Sequence, residues 1–143
     1  MLVYHSNLPR HIVEQASSDK IHFTNEMLDL NIVAKTADLA LLNATYTTMA
    51  QFLLAAMPCV LAPLHPEQRL FAEAVRAFGA GVIVDYSNEK QLLAGVRQVL
   101  SDKRYRDAAA SFAARHAADD QGALDARMHN EIERLITTSV SRP

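Results

Sequence analysis

With 143 residues, half of them hydrophobic and 21% charged, the chain has the size and composition of one globular domain. Its 14 Lys and Arg nearly cancel 16 Asp and Glu, and a formal net charge of −2 gives no overall electrostatic basis for nucleic-acid binding. A single cysteine, Cys59, rules out an internal disulfide, and no apolar run nears the ~20 residues of a membrane-spanning helix.

Short aliphatic runs alternate with helical patterns along the chain. Leu2 to His5 reads as a first strand, and Lys20 to Thr24 as a second and weaker one. Asp38 to Leu42 is almost continuously apolar, as a strand buried on both faces of a parallel sheet should be. A helix follows, with Met49, Phe52, Leu53 and Ala56 on its buried side. Cys59 to Ala62 is the next buried strand, and its apolar setting makes Cys59 a structural thiol rather than a nucleophile. The helix after it carries Leu70, Phe71, Ala74, Val75 and Phe78, and Gly79 stops it.

Gly81 to Val84 closes the strand series. Ser87 or Asn88 can cap a helix bearing Leu92, Leu93, Val96, Val99 and Leu100. Ser101 can cap another, with Tyr105, Ala108, Ala109 and Phe112 inward and the basic trio Lys103, Arg104 and Arg106 solvated. A last amphipathic helix runs through Leu124, Met128, Ile132, Leu135 and Ile136, leaving a loose tail from Thr138 to Pro143. This order predicts one α/β domain, 1–143, built on a five-stranded parallel sheet with helices on both faces. The opening Met1-Leu2-Val3-Tyr4-His5 lacks the regions of a signal peptide, so the expected location is cytoplasmic.

In such sheets ligands bind beyond the C-terminal ends of the strands, which singles out two loops. Asn43-Ala44-Thr45-Tyr46-Thr47-Thr48 leads from a strand into a helix, where free N–H groups and the helix dipole favour a phosphate. The same stretch also reads as a cap, since Thr48-Met49-Ala50-Gln51 matches the capping box. Pro63-Leu64-His65-Pro66-Glu67-Gln68 is the second loop; its carboxylate and carboxamide suit sugar hydroxyls, although Pro66 and Glu67 equally mark a plain helix start. The histidines show no metal-binding spacing, and no nucleophile elbow, Walker A or G-x-G-x-x-G is present. No residue stands out as catalytic.

The stretch from Ala37 to Asp85 resembles the donor-binding C-terminal half of GT-B glycosyltransferases, a Rossmann-like domain. Ala37-Asp38 opens the strand, Thr48 stands at the threonine of the family's H-G-G-x-G-T-x-x-E motif, and Pro58 to Pro63 forms the next strand. Gln68 and Ala72 fall on its D-Q-x-x-N-A segment, and Gly79-Ala80-Gly81-Val82 follows at the expected spacing. The resemblance implies that Asn43, Thr45, Thr47, Thr48 and Gln51 lie where nucleotide diphosphate and ribose bind, and His65, Glu67 and Gln68 where the sugar binds. It implies no metal and no cofactor beyond the UDP- or dTDP-sugar donor.

The departures fall on ligand positions: Asn43 replaces the motif histidine, Ala44, Thr45 and Thr47 its glycines, Gln51 its glutamate, and Phe71 the asparagine. Against the family, the chain begins one strand and one helix into the donor half. The expectation is therefore a donor-binding half that needs a separate acceptor domain, in a hetero-complex or homo-oligomer. An inactive binding or regulatory module is the alternative; part of a sugar-nucleotide epimerase is a third, disfavoured because that group's acid/base pattern is absent.

Overall fold

The computed structural model describes residues 1–117, 126–132 and 134. In chain order the elements are β1 (Leu2–Tyr4), α1 (Arg10–Ala16), β2 (His22–Thr24), α2 (Leu30–Thr36), β3 (Ala40–Leu42), α3 (Tyr46–Leu54), β4 (Cys59–Leu61), α4 (Pro66–Phe78), β5 (Gly81–Ile83), α5 (Glu89–Ser101) and α6 (Lys103–His116). Residues 126–132 and 134 are helical, within the last helix expected from the sequence. Leu124, Leu135, Ile136 and the tail from Thr138 lie outside the described residues. No helix among the described residues is long and apolar enough to cross a membrane.

The three strongest strands are adjacent and parallel as expected, with Leu41, Val60 and Val82 in register across β3–β4–β5. Every residue of the central β4 is buried, and its side chains alternate between two packed layers. Cys59 and Leu61 join Met49, Phe52 and Leu53 of α3, Ala72 and Val75 of α4, and Ala109 of α6. Val60 and Ala62 join Val84 and Val99, with Val96 and Tyr105 against them. Helices thus cover both faces, which is why β4 tolerates no polar side chain.

The single five-stranded sheet does not form. β1 and β2 pair in parallel with each other, through Val3 and Phe23, and make a separate two-stranded sheet. In a doubly wound sheet of order 3-2-1-4-5-6, the outer pair and the outer trio meet only through the strand between them. β1–β2 and β3–β4–β5 match that pair and that trio, and no described strand stands between them. α1 buries no residue, so its sequence carries no apolar stripe by which a helix there could be read.

Helix ends follow local chemistry. Gly79 closes α4 at φ 86°, a left-handed conformation that glycine adopts without steric cost. Asn88, not Ser87, caps α5, accepting from the Gln91 N–H at 3.1 Å. Ser101, expected to cap α6, instead ends α5, and Asp102 is the cap, accepting from the Arg104 N–H at 3.0 Å. Asn88→Ala is expected to lower stability by about 1 kcal/mol, read as a shift of the urea midpoint at unchanged slope. Leu70, Ala74, Leu93 and Leu100, expected inward, are exposed, because Val75 and Ala72 centre the α4 stripe and Val99 and Gly95 that of α5.

Candidate functional site

β3 ends at Leu42, and the chain must turn at once to start α3. Asn43 helps by accepting the Thr45 N–H on its side-chain oxygen at 3.4 Å. Ala44, fully buried, completes the turn at φ 64°, a left-handed conformation that costs a residue with a Cβ roughly 1–2 kcal/mol. Thr45 is the N-cap, in extended conformation, and its carbonyl accepts from Met49 N–H at 3.0 Å. The helix therefore starts too early for the capping box, and Thr48 and Gln51 stand inside it. The Thr45 side chain makes no cap hydrogen bond, so the first-turn N–H groups keep no side-chain acceptor.

The second loop has the same property. His65 is the N-cap of α4 without a side-chain cap bond, Pro66 occupies the first turn, and Glu67 sits at the positive end of the dipole. Gln68 turns its side-chain oxygen back onto the Leu64 N–H at 2.7 Å, which leaves its amide nitrogen as a donor.

Between the two uncapped helix starts lies a cleft of about 290 Å³. Thr45, Thr47, His65, Glu67 and Gln68 line it, so five of the eight residues singled out in the sequence meet at one place. Asn43, Thr48 and Gln51 do not line it: Asn43 shapes the turn, and the other two belong to the body of α3. Ala44, Tyr46 and Phe71 complete the wall. The Tyr46 and Phe71 rings lie 5.2 Å apart at 46°. Helical spacing placed Phe71 on a buried stripe, and nothing in the spacing marked Tyr46.

A larger cleft, about 530 Å³, opens beside the C-terminal ends of β4 and β5, with Pro63, Arg69, Glu73, Arg76, Asp85 and Tyr86 among its walls. Its carboxylates are already engaged, Glu73 by two guanidiniums and Asp85 by Ser87. Glu73 accepts from Arg76 at 2.7 Å and pairs with Arg69 at 2.9 Å, and these guanidiniums hold its carboxyl below the usual range. Asp85 is likewise lowered by the hydroxyl and N–H of Ser87. The smaller cleft, with unspent donors at two helix starts, is the better anion site. The basic trio is also accounted for: Lys103 pairs with Asp107, Arg104 with Asp102, and Arg106 with Asp38. Among the described residues no group of three or more His, Cys, Asp or Glu is placed to hold a metal ion.

No protein-family model and no curated sequence matches the chain. Solved structures do, on the C-terminal part of GT-B glycosyltransferases. The spinosyn rhamnosyltransferase SpnG is 20% identical over 90% of this chain and 35% of its own, with a TM-score of 0.74. SpnG complexed with thymidine diphosphate matches at 21% identity over 82% of this chain and 32% of its own, with a TM-score of 0.68. CalG4, the calicheamicin glycosyltransferase, is 18% identical over 87% of this chain and 32% of its own, with a TM-score of 0.69. The chain spans about a third of the length of these proteins, and at such identity what they share with it is the fold.

Proposed function

We propose that this domain is the donor-binding half of a glycosyltransferase that moves a hexosyl group from a UDP- or dTDP-sugar to an acceptor held by a separate domain. The supporting observation is the meeting of two uncapped helix starts, α3 and α4, on one cleft lined by Thr45, Thr47, His65, Glu67 and Gln68. Backbone N–H groups at the head of α3 offer the diphosphate neutral donors and a positive dipole end. Glu67 can accept from sugar hydroxyls, while the free amide of Gln68 donates. That SpnG has been solved with thymidine diphosphate supports a nucleoside diphosphate as the anion. A cytoplasmic setting fits the single buried thiol.

Catalysis needs a base within hydrogen-bond reach of the acceptor hydroxyl, and that base belongs to the acceptor side in this reading. The acceptor side is supplied by a separate domain. The purified chain is expected to transfer no sugar by itself; chromatographic detection of a glycosylated product from this chain alone would contradict that.

Calorimetry with thymidine and uridine diphosphates tests the binding step. Neutral donors contribute only ~0.5–1.5 kcal/mol each, so a Kd of about 1 mM is expected. Asn43→His places a cationic donor one residue from the cleft wall and should tighten binding about tenfold near pH 6, and less near pH 8. If neither wild type nor Asn43→His binds any nucleoside diphosphate, the domain is a binding or regulatory module on the same fold. The strained Ala44 and the ring of Phe71 in the cleft favour that second reading.

A further inference from the structure

The nucleotide sugar does not occupy the larger cleft, which opens beyond β4 and β5, at the edge where parallel sheets take ligands. One wall is α4, with Arg69, Glu73 and Arg76 each about a turn apart. The other is the loop after β5, with Asp85 and Tyr86, together with Gln91 from α5. Glu73 takes one hydrogen bond on each oxygen, from Arg69 Nε at 3.0 Å and from Arg76 Nε at 2.7 Å. Held through Nε, the Arg76 side chain makes no other hydrogen bond among the described residues, so its two Nη groups stay open. That edge is the fork that meets a carboxylate with two parallel bonds, and the grip of Glu73 lowers the entropy lost in using it. Gln91 gives its side-chain oxygen to the Asp85 N–H at 3.4 Å, which leaves its amide nitrogen as a further donor.

We propose that the larger cleft is a second binding site, for a monocarboxylate with an apolar or aromatic body. The carboxylate meets the Nη edge of Arg76 and the Gln91 amide, and the body lies against Pro63, Ile83 and the exposed Tyr86 ring. Charge decides the class. Arg69 and Arg76 are balanced by Glu73 and Asp85, whose carboxyls are held below the usual range by their hydrogen bonds and stay ionised. One negative charge on the ligand is matched by the open fork. A dianionic phosphate brings a second charge against two carboxylates, and like charges in contact are costly. A diphosphate therefore sorts to the starts of α3 and α4, and a carboxylate to this cleft.

The test is an NMR titration of the isotope-labelled chain at neutral pH with benzoate, benzamide and phenyl phosphate, on wild type, Arg76→Gln and Arg76→Lys. Benzoate should shift the amide signals of Asp85, Tyr86 and Ser87, with benzamide and phenyl phosphate at least about tenfold weaker. Arg76→Gln should weaken benzoate about tenfold, and Arg76→Lys nearly as much, since lysine keeps the charge without the fork. The Arg76 side chain is 59% exposed, so both variants are expected to fold, and the benzamide comparison needs neither. No shift with benzoate, equal binding of benzamide, or benzoate binding untouched by Arg76→Gln overturns the site. Phenyl phosphate binding as tightly as benzoate overturns the class of ligand, and full affinity in Arg76→Lys overturns the fork.

Discussion

Gly81→Ala is expected to cost about 3 kcal/mol or more, a large share of the stability of a domain of this size. A Cβ built on Gly81 lies 2.4 Å from the Cys59 carbonyl oxygen and 3.2 Å from its carbon, and 3.3 Å from Cγ1 of Val75. The oxygen is backbone of β4, the fully buried strand to which β5 is paired, so it cannot swing aside as a side-chain tip would. Two effects act in the opposite direction. Alanine restricts the unfolded chain, worth roughly 0.4–1 kcal/mol, and it buries one more methyl group. Neither offsets a clash with a neighbouring strand, which can be relieved only by parting β4 from β5 or tilting α4. Urea denaturation measures the loss, and a change below about 1 kcal/mol would show that the strands separate more easily than their burial implies.

Cys59 should be nearly inert to thiol reagents in the native protein. The side chain is fully buried, its Sγ lies 3.6 Å from the Met57 carbonyl oxygen, and burial pushes the thiol up from 9.0 to about 12. Only the thiolate reacts, so a rise of that size removes about a thousandfold of the reactive form at neutral pH, before access is considered. Alkylation should therefore follow unfolding, with a rate that climbs through the urea transition. The same shift makes stability depend on pH at the alkaline end. The unfolded thiol releases its proton near 9.0 and the folded one near 12. The thiol's contribution is intact below pH 9.0 and declines by about 1.4 kcal/mol per pH unit as the pH rises toward the folded value. Cys59→Ala should flatten that decline, and a wild-type profile as flat as the variant's would show that water reaches the thiol.

The parts of the fold that could be read from the sequence are those in which burial writes a pattern. β3, β4 and β5 are short runs of aliphatic residues whose order and parallel pairing followed, but only β4 is buried on both faces; Leu41 of β3, expected buried, is exposed. α1 could not be read, since a helix that buries nothing is under no pressure to keep a stripe. The split of the sheet was invisible for a related reason: Leu2–Tyr4 and His22–Thr24 are strand-like whether or not a neighbour lies beyond them. Of the polar residues picked out at the two helix starts, Thr45, Thr47, His65, Glu67 and Gln68 line one cleft, whereas Asn43, Thr48 and Gln51 do not. The capping box misled because Thr48-x-x-Gln51 fits by letters, while the extended Thr45 began the helix first. Helical spacing put Phe71 on a buried stripe, and only the family comparison put it at a ligand position, because an aromatic residue at helical spacing looks the same whether it faces a core or a cleft.

The divided sheet also governs how the molecule opens. Main-chain hydrogen bonds along β4 break only when the helices on both sides leave, so their exchange with solvent is tied to global unfolding. The β1–α1–β2 unit shares no ladder with β3 and contains a helix with no buried residue. Its two strands are held together by a parallel ladder of three residue pairs. The β1–α1–β2 unit is therefore expected to open before the layer that forms the cleft, which hydrogen exchange would show as earlier loss of its protection. Damage to β1 or α1 should consequently be felt in protease susceptibility and chain turnover long before it is felt at the loops after Leu42 and Ala62.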